Sequence, residues 1–241
     1  MTSRVCQWRS RWYLSPQYYE GCERPAHELH DYCIFHLPEK TPFEAQEFEK
    51  ALDLEIDEQL GKHENSISFK GFQFPNRVIL SKMLRAQAKN EFEEPEIRHQ
   101  IDFREATFHD EFECGRVVVQ SALQFGGATF GGATSFDYTK FRATARFSGT
   151  TFQGAVSFES TVVEFSVEFF ETTFLKDLRI KPVPGDRHGI VSLERVRFTG
   201  PVELDWSNFG GSDTCASLYL RECNFGANVA FRGAMGCISL L

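Results

Sequence analysis

The stretch from Phe125 to Gln153, FGGATFGGATSFDYTKFRATARFSGTTFQ, places phenylalanine at 125, 130, 136, 141, 147 and 152, with steps that alternate between five and six residues. Helices repeat their faces every 3.6 residues and strands every two, so neither alone produces one large apolar residue at these intervals. A small or β-branched residue stands two positions before most of the rings: Ala128, Thr139, Ala145, Thr150. Positions i−2 and i of a strand share a face, so each unit supplies one small and one large inward side chain and leaves the rest for a corner.

The register continues in both directions. One set spaced by eleven reads Phe103, Cys114, Phe125, Phe136, Phe147, Phe158, Phe169 and Ile180; a second, offset by five, reads Phe108, Val119, Phe130, Phe141, Phe152, Val163 and Phe174. After Ile180 the segment Lys181 to Gly189 shifts the frame by two before Leu193, Phe198, Leu204 and Phe209 resume it. Another shift of five, around Gly210 to Thr214, precedes Leu220, Phe225 and Phe231. Insertions that reset the phase and keep the spacing behave as loops on a solenoid. Four such units close a square coil of about 22 residues, and strand spacing of ~4.8 Å gives roughly six coils over ~30 Å. The glycine pairs Gly126-Gly127 and Gly131-Gly132 follow anchors, where corners can use positive φ.

Units such as Ala128-Thr129-Phe130-Gly131-Gly132, Thr150-Thr151-Phe152-Gln153-Gly154 and Ala145-Arg146-Phe147-Ser148-Gly149 resemble the phenylalanine-centred form of the pentapeptide-repeat family. The resemblance covers residues 101–241 and implies a mainly β fold, a right-handed quadrilateral β-helix. Many units here have six residues, and few carry the Asp or Asn that the family often places before the centre. The segment Tyr32-Cys33-Ile34-Phe35-His36, followed by an acidic helix and by Phe69-Lys70-Gly71-Phe72-Gln73-Phe74-Pro75, is similar to segments of bacterial members of that family.

Composition agrees with a repeat core. Among 241 residues there are 25 Phe against 6 Tyr and 3 Trp, so one apolar shape without a polar handle is used again and again. The net charge of −8 argues against broad phosphate neutralisation. There is no run of eighteen apolar residues and no charged leader followed by an apolar stretch, which predicts a cytoplasmic chain without a membrane span.

Three zones are expected. Residues 1–40 form a Cys/His module. Residues 41–100 form an N-terminal cap: an acidic helix over Thr41 to Lys62 with Phe48, Leu52, Ile56 and Leu60 inward, Pro42 in its first turn and Gly61 stopping it. An alternating strand from Ile67 to Pro75 and a second helix or long insertion from Val78 to Phe92, ended by Pro95, complete the cap. Residues 101–241 form the β-helix.

Seven Cys in a reducing compartment are thiols or metal ligands. Cys6, Cys22, Cys33 and His36 have the spacing C-x15-C-x10-C-x2-H, and thiolates with an imidazole suit tetrahedral zinc. His27 and His30 compete for the fourth position, and three unrelated thiols beside a surface histidine are the simpler alternative. Four protein ligands would fill the shell, so the site would be structural and would supply folding energy to a short aliphatic-poor module. Cys114, on the ladder, and Cys223, two before Phe225, read as small core fillers.

No phosphate loop, nucleophile elbow or paired-carboxylate motif stands out, and His63, His99, His109 and His188 are isolated, so a non-enzymatic module is expected. The leading expectation is a protein-interaction scaffold with a protein partner. A DNA-mimicking, topoisomerase-binding surface follows from the resemblance, but residues 101–241 hold 17 acids and 13 bases, a sparse negative field. Nucleic-acid binding through Arg4, Arg9, Arg11, Trp8 and Trp12 is the third reading. The last residues, Gly236-Cys237-Ile238-Ser239-Leu240-Leu241, remain near register, so the final coil predicts an end-to-end homodimer, a short cap, or continuation into a larger bacterial effector.

Overall fold

The computed structural model describes residues 4–10, 21–27, 30–62, 65–86, 94–209, 216–233 and 238–240, the last three as backbone alone. Trp12, Arg11, Cys215 and Cys237 lie outside the described residues, as does the end of the segment expected to reach Phe92.

The chain is a mainly β, parallel-strand solenoid of about six turns with an N-terminal helix packed on one end. Four stacks of short strands make its sides. The first holds eight strands, from Ser66–Ser68 through Gln100–Asp102 and Leu123–Gln124 to Ile238–Leu240. The second holds seven, from Gln73–Phe74 to Asn224–Phe225, and the third another seven, from Val78–Ile79 to Val229–Gly233. The fourth runs through Glu96–Ile97, Val118–Val119 and Lys140–Phe141 to the second half of Val156–Val163. Ile101 pairs with Leu123 and Leu123 with Ala145, a coil of 22 residues. The coil lengthens where Val167 pairs with Val191 and Val191 with Leu218, at the two frame shifts read from the sequence.

Register fixes the interior. Phe74, Phe108, Phe130, Phe152, Phe174, Phe198 and Phe225 stand on successive strands of the second stack, their rings stacked at 4.7 to 5.3 Å between centroids. Phe69, Phe103, Phe125 and Phe147, each just past a strand of the first stack, and Phe169 within its strand stack likewise at 4.9 to 5.3 Å. Rings on adjacent sides meet edge to face, as Phe136 does with Phe147 at 5.4 Å and 80°. Phe125, Phe136 and Phe147 are all fully buried.

The two step lengths have different corners. The five-residue step, as from Phe125 to Phe130, turns through a left-handed residue: Glu105, Arg116, Gly127, Tyr138, Gly149, Ser160 and Glu171 recur every eleven positions with φ between 52° and 67°. The bond from Ala128 N to Phe125 O at 2.9 Å closes the turn, in the manner of type II, and an αL third residue is its requirement. The small residue that follows it is buried, and where it is threonine its hydroxyl donates down to the coil below: Thr150 to Phe125 O at 2.7 Å and Thr172 to Phe147 O at 2.5 Å. The six-residue step needs no positive φ. At Gly132 the requirement is close approach instead, since a Cβ there would lie 2.5 Å from the Asp110 carbonyl carbon. Positive φ therefore belongs to Gly127 and not to the pair Gly131-Gly132.

Several expectations change. The ladder begins at Ser66, ahead of the boundary at Ile101, because the stretch from Ile67 to Pro75 bends at Gly71 (φ 71°) into two strands of a first coil. Ile67 pairs with Ile101, 34 residues on, so an insertion lies within that coil. The segment expected as a helix or insertion from Val78 starts as a strand paired with Phe112–Glu113, and among its described residues Leu80–Met83 (α2) is helical. The acidic helix spans Pro42–Gly61 (α1), capped by a reciprocal Thr41/Glu44 box; Gly61 is its last residue, with Lys62 as a right-handed C-cap. At the far end Phe231, a ladder position in the sequence, is 46% exposed. Trp206 occupies the interior instead, donating from Nε1 to Ala216 O at 2.5 Å. Among the described residues no helix is long and apolar enough to cross a membrane.

Candidate metal centre

Two short antiparallel contacts, Val5 with Pro25 and Arg9 with Gly21, set Cys6 beside Cys22. The bonds from His36 N and Leu37 N to Cys33 O, both 3.0 Å, form the tight turn that brings His36 back toward the Cys33 sulfur. Cys6, Cys22, Cys33 and His36 are all buried, and their ligand atoms lie within 4.8 Å of one another. The sulfurs of Cys22 and Cys33 are 3.8 Å apart; His36 Nδ1 is 3.2 Å from the Cys33 sulfur and 3.6 Å from that of Cys6. A tetrahedral ion with metal–sulfur bonds of about 2.3 Å has sulfur–sulfur edges of roughly 3.8 Å, so the four residues fit a metal ion as placed.

The surroundings fit too. His36 Nε2 donates to the carbonyl oxygen of Lys70 at 3.0 Å, which fixes the proton there and turns the Nδ1 lone pair to the cluster. Trp8 stacks on the imidazole at 4.5 Å and 7°, and Phe72 meets it edge-on at 5.6 Å. Trp8 in turn lies against Gly71, where a side chain would collide with the indole. The hydrogen bond between Cys33 and Cys22 holds the Cys22 thiol below its ordinary range, against the effect of burial, and raises Cys33.

His27 and His30 lie apart from the cluster, in a separate group with Glu44. No sequence signal marked Trp8 as the lid of His36, or placed Glu44 and Glu47 of α1 against the two histidines. Cys114 is fully buried on the ladder, where burial pushes its thiol up to about 12, and Cys223 is half-buried and donates to Leu193 O at 3.3 Å. Both fill space, as their positions in the register implied.

The geometry defines a parallel β-solenoid joined to a buried three-cysteine, one-histidine cluster within metal-binding distance. Residues 115–162, within the solenoid, match the family described as Pentapeptide repeats (9 copies). No curated protein and no solved structure matches the chain.

Proposed function

We propose that this chain is a non-enzymatic interaction scaffold, in which the solenoid offers its outer faces to a protein partner and a structural zinc ion in the Cys6, Cys22, Cys33 and His36 cluster holds the N-terminal module. One observation carries the reading: the interior is filled by stacked rings, so recognition falls to the surface, and the third stack carries a groove of about 650 Å³ on its outer side. Its outward lining joins the exposed Ala133, Ala155 and Pro201 to Ser135 and Ser157, among charges of both signs from Arg77, Glu113, Arg179, Glu203 and Arg232, with Val156, Leu178 and Val202 buried beneath as core. A surface that mixes small apolar, hydroxyl and charged groups suits a protein partner.

The mixed rim also weighs against duplex mimicry. Acids two coils apart share an arginine of the coil between them: Arg179 bridges Glu159 at 2.5 Å and Glu203 at 3.0 Å, and Arg195 bridges Glu171 at 3.3 Å and Glu222 at 3.0 Å. A dense negative field is thereby interrupted. Base stacking through the module has little support, since Trp8 is packed on His36 and Arg9 donates to the carbonyls of Cys6 and Trp8. Thiolate ligation calls for a reducing compartment, which suits the cytoplasm. End-to-end pairing of two copies through the strand Val229–Gly233, at the edge of its stack with Phe231 half exposed, belongs to the same proposal.

The test is proximity labelling in the source cell with the wild-type chain and with Ala155→Arg, whose exposed position leaves the core intact. A protein enriched by the first, lost with the second, and bound by the purified chain supports the groove; equal capture by both overturns it. Metal analysis of the purified chain should find zinc that Cys33→Ser loses. Sedimentation of wild type against Phe231→Glu reads the pairing of copies.

A further inference from the structure

A second cluster lies where the Cys/His module meets α1. His27 Nε2 is 3.1 Å from Glu47 Oε2, and a carboxylate there can only accept, so the ring proton sits on Nε2. The other nitrogen, Nδ1, then carries a lone pair. It is buried and makes no hydrogen bond within the described residues. It points to Glu44 Oε1, 3.9 Å away, and the same oxygen is 2.8 Å from His30 Nε2. Glu44 Oε2 is occupied by Thr41, accepting from its backbone N–H and its hydroxyl, both at 2.7 Å, so the carboxylate is anchored with Oε1 directed at the two rings. The rings lie nearly parallel, with centroids 6.0 Å apart.

A capping network alone leaves the His27 lone pair unexplained. A cation explains it. All three candidate ligand atoms fall within 4.8 Å of one another, and the separations of 2.8 and 3.9 Å from Oε1 bracket the edge of about 3.3 Å set by metal–ligand bonds of about 2.0 to 2.1 Å. Glu47 behind His27 reproduces the carboxylate–histidine arrangement that orients metal ligands and raises their basicity.

We propose that His27 Nδ1, His30 Nε2 and Glu44 Oε1 bind a divalent transition cation of the zinc class, with His30 partly exposed so that water completes the shell. Two ligands come from the module and one from the first turn of α1, so the ion clasps the module to the helix. This site contains no sulfur and is independent of the cysteine cluster.

The chelator-treated full-length chain is titrated with Co²⁺ while absorbance and heat are followed. Two equivalents are expected, one with thiolate charge-transfer bands and one without. His30→Gln should lose the sulfur-free equivalent and keep the other, and Cys33→Ser should do the reverse. Glu47→Gln should keep the equivalent with affinity lowered about tenfold or more, the effect of removing an orienting carboxylate. A wild-type chain that takes up no sulfur-free equivalent, or a sulfur-free equivalent indifferent to His30→Gln, overturns the proposal. Absence of the thiolate bands alone would count against zinc in the cysteine cluster and leave this site standing.

Discussion

The hydrogen bond of 3.0 Å from His36 Nε2 to the carbonyl oxygen of Lys70 joins the cysteine cluster to the open end of the solenoid. Among the described residues no coil lies beneath the first, so its backbone groups need other partners. Gln59 of α1 supplies two, its Oε1 accepting from Ser68 N at 2.6 Å and its Nε2 donating to Ser68 O at 3.1 Å. Lys40 Nζ donates to Gln73 O at 2.8 Å, and Phe35 O accepts from Gln73 N at 2.7 Å. The module and helix thus close an edge that would otherwise invite pairing with another chain, the part that terminal caps play in repeat proteins.

Removing the proposed zinc should therefore loosen the first coil before the others. Chelation, or Cys33→Ser, is expected to raise amide exchange at Lys70 to Phe74 while amides around Phe130 and Phe152 keep their protection. Exchange followed by mass spectrometry checks it, and equal loosening along the whole solenoid would contradict it.

Phe130 sits mid-stack, 4.7 Å from Phe108 and 4.8 Å from Phe152. Phe130→Ala should destabilise by about 3 to 5 kcal/mol, through lost burial and a cavity between rigid neighbours, as should Phe141→Ala. Phe130→Leu should cost less, below about 1.5 kcal/mol if neighbouring rings repack. Denaturant midpoints with unchanged slope would measure both.

The tight corners offer a paired test. Ser160 holds φ at 52° and Gly149 at 65° in equivalent turns. Gly149→Ala should cost about 1 kcal/mol or more, because the side chain must enter the left-handed region. Ser160→Gly relieves that strain at the expense of a freer unfolded chain, so its melting temperature should stay level or rise. A clear fall would mean that the serine side chain matters more than its backbone.

Thr172→Val keeps the shape of a fully buried side chain and removes the donor to Phe147 O. The expected loss is about 1 kcal/mol, small because that carbonyl keeps its bond from Thr150 N at 3.2 Å. Thermal melts of the variant and of Thr172→Ala, which adds a cavity, separate the two contributions.

Glu44 gives a pH signature. Its bond from the Thr41 backbone N–H is the main cause that holds its carboxyl at about 2, below the ordinary 4.5. A carboxyl depressed by folding stabilises above its ordinary value and loses that contribution as pH falls through the folded one. In metal-free buffer Glu44→Gln should be less stable than wild type near neutrality, and the gap should close between about pH 4.5 and 2. A gap independent of pH would assign the effect to packing.

The repeat, the four-sided coil and both frame shifts were legible because a solenoid makes each coil bury the same positions, and spacing along the chain records that directly. The first coil was harder to see. Its insertion stretches the interval from Ile67 to Ile101 and breaks the register, so Phe69 and Phe74 read as an isolated strand although they carry the two ring stacks onward. A helix beginning at Val78 gives way for a related reason: Val78 and Ile79 pair with Phe112 and Glu113, and that pairing prevails over local propensity.

Residue spacing, with the resemblance of the Tyr32–His36 segment, pointed to Cys6, Cys22, Cys33 and His36 as one group, since two ligands on a tight turn carry their own signal. It left His27 and His30 as rivals for the same shell. Only the packing of α1 separates them, by setting Glu44 and Glu47 against those rings and Lys70 against His36. Periodic burial is a local property, repeated until it can be read; contacts between the module, the helix and the first coil join segments with no shared period, and these arise only when the chain has folded.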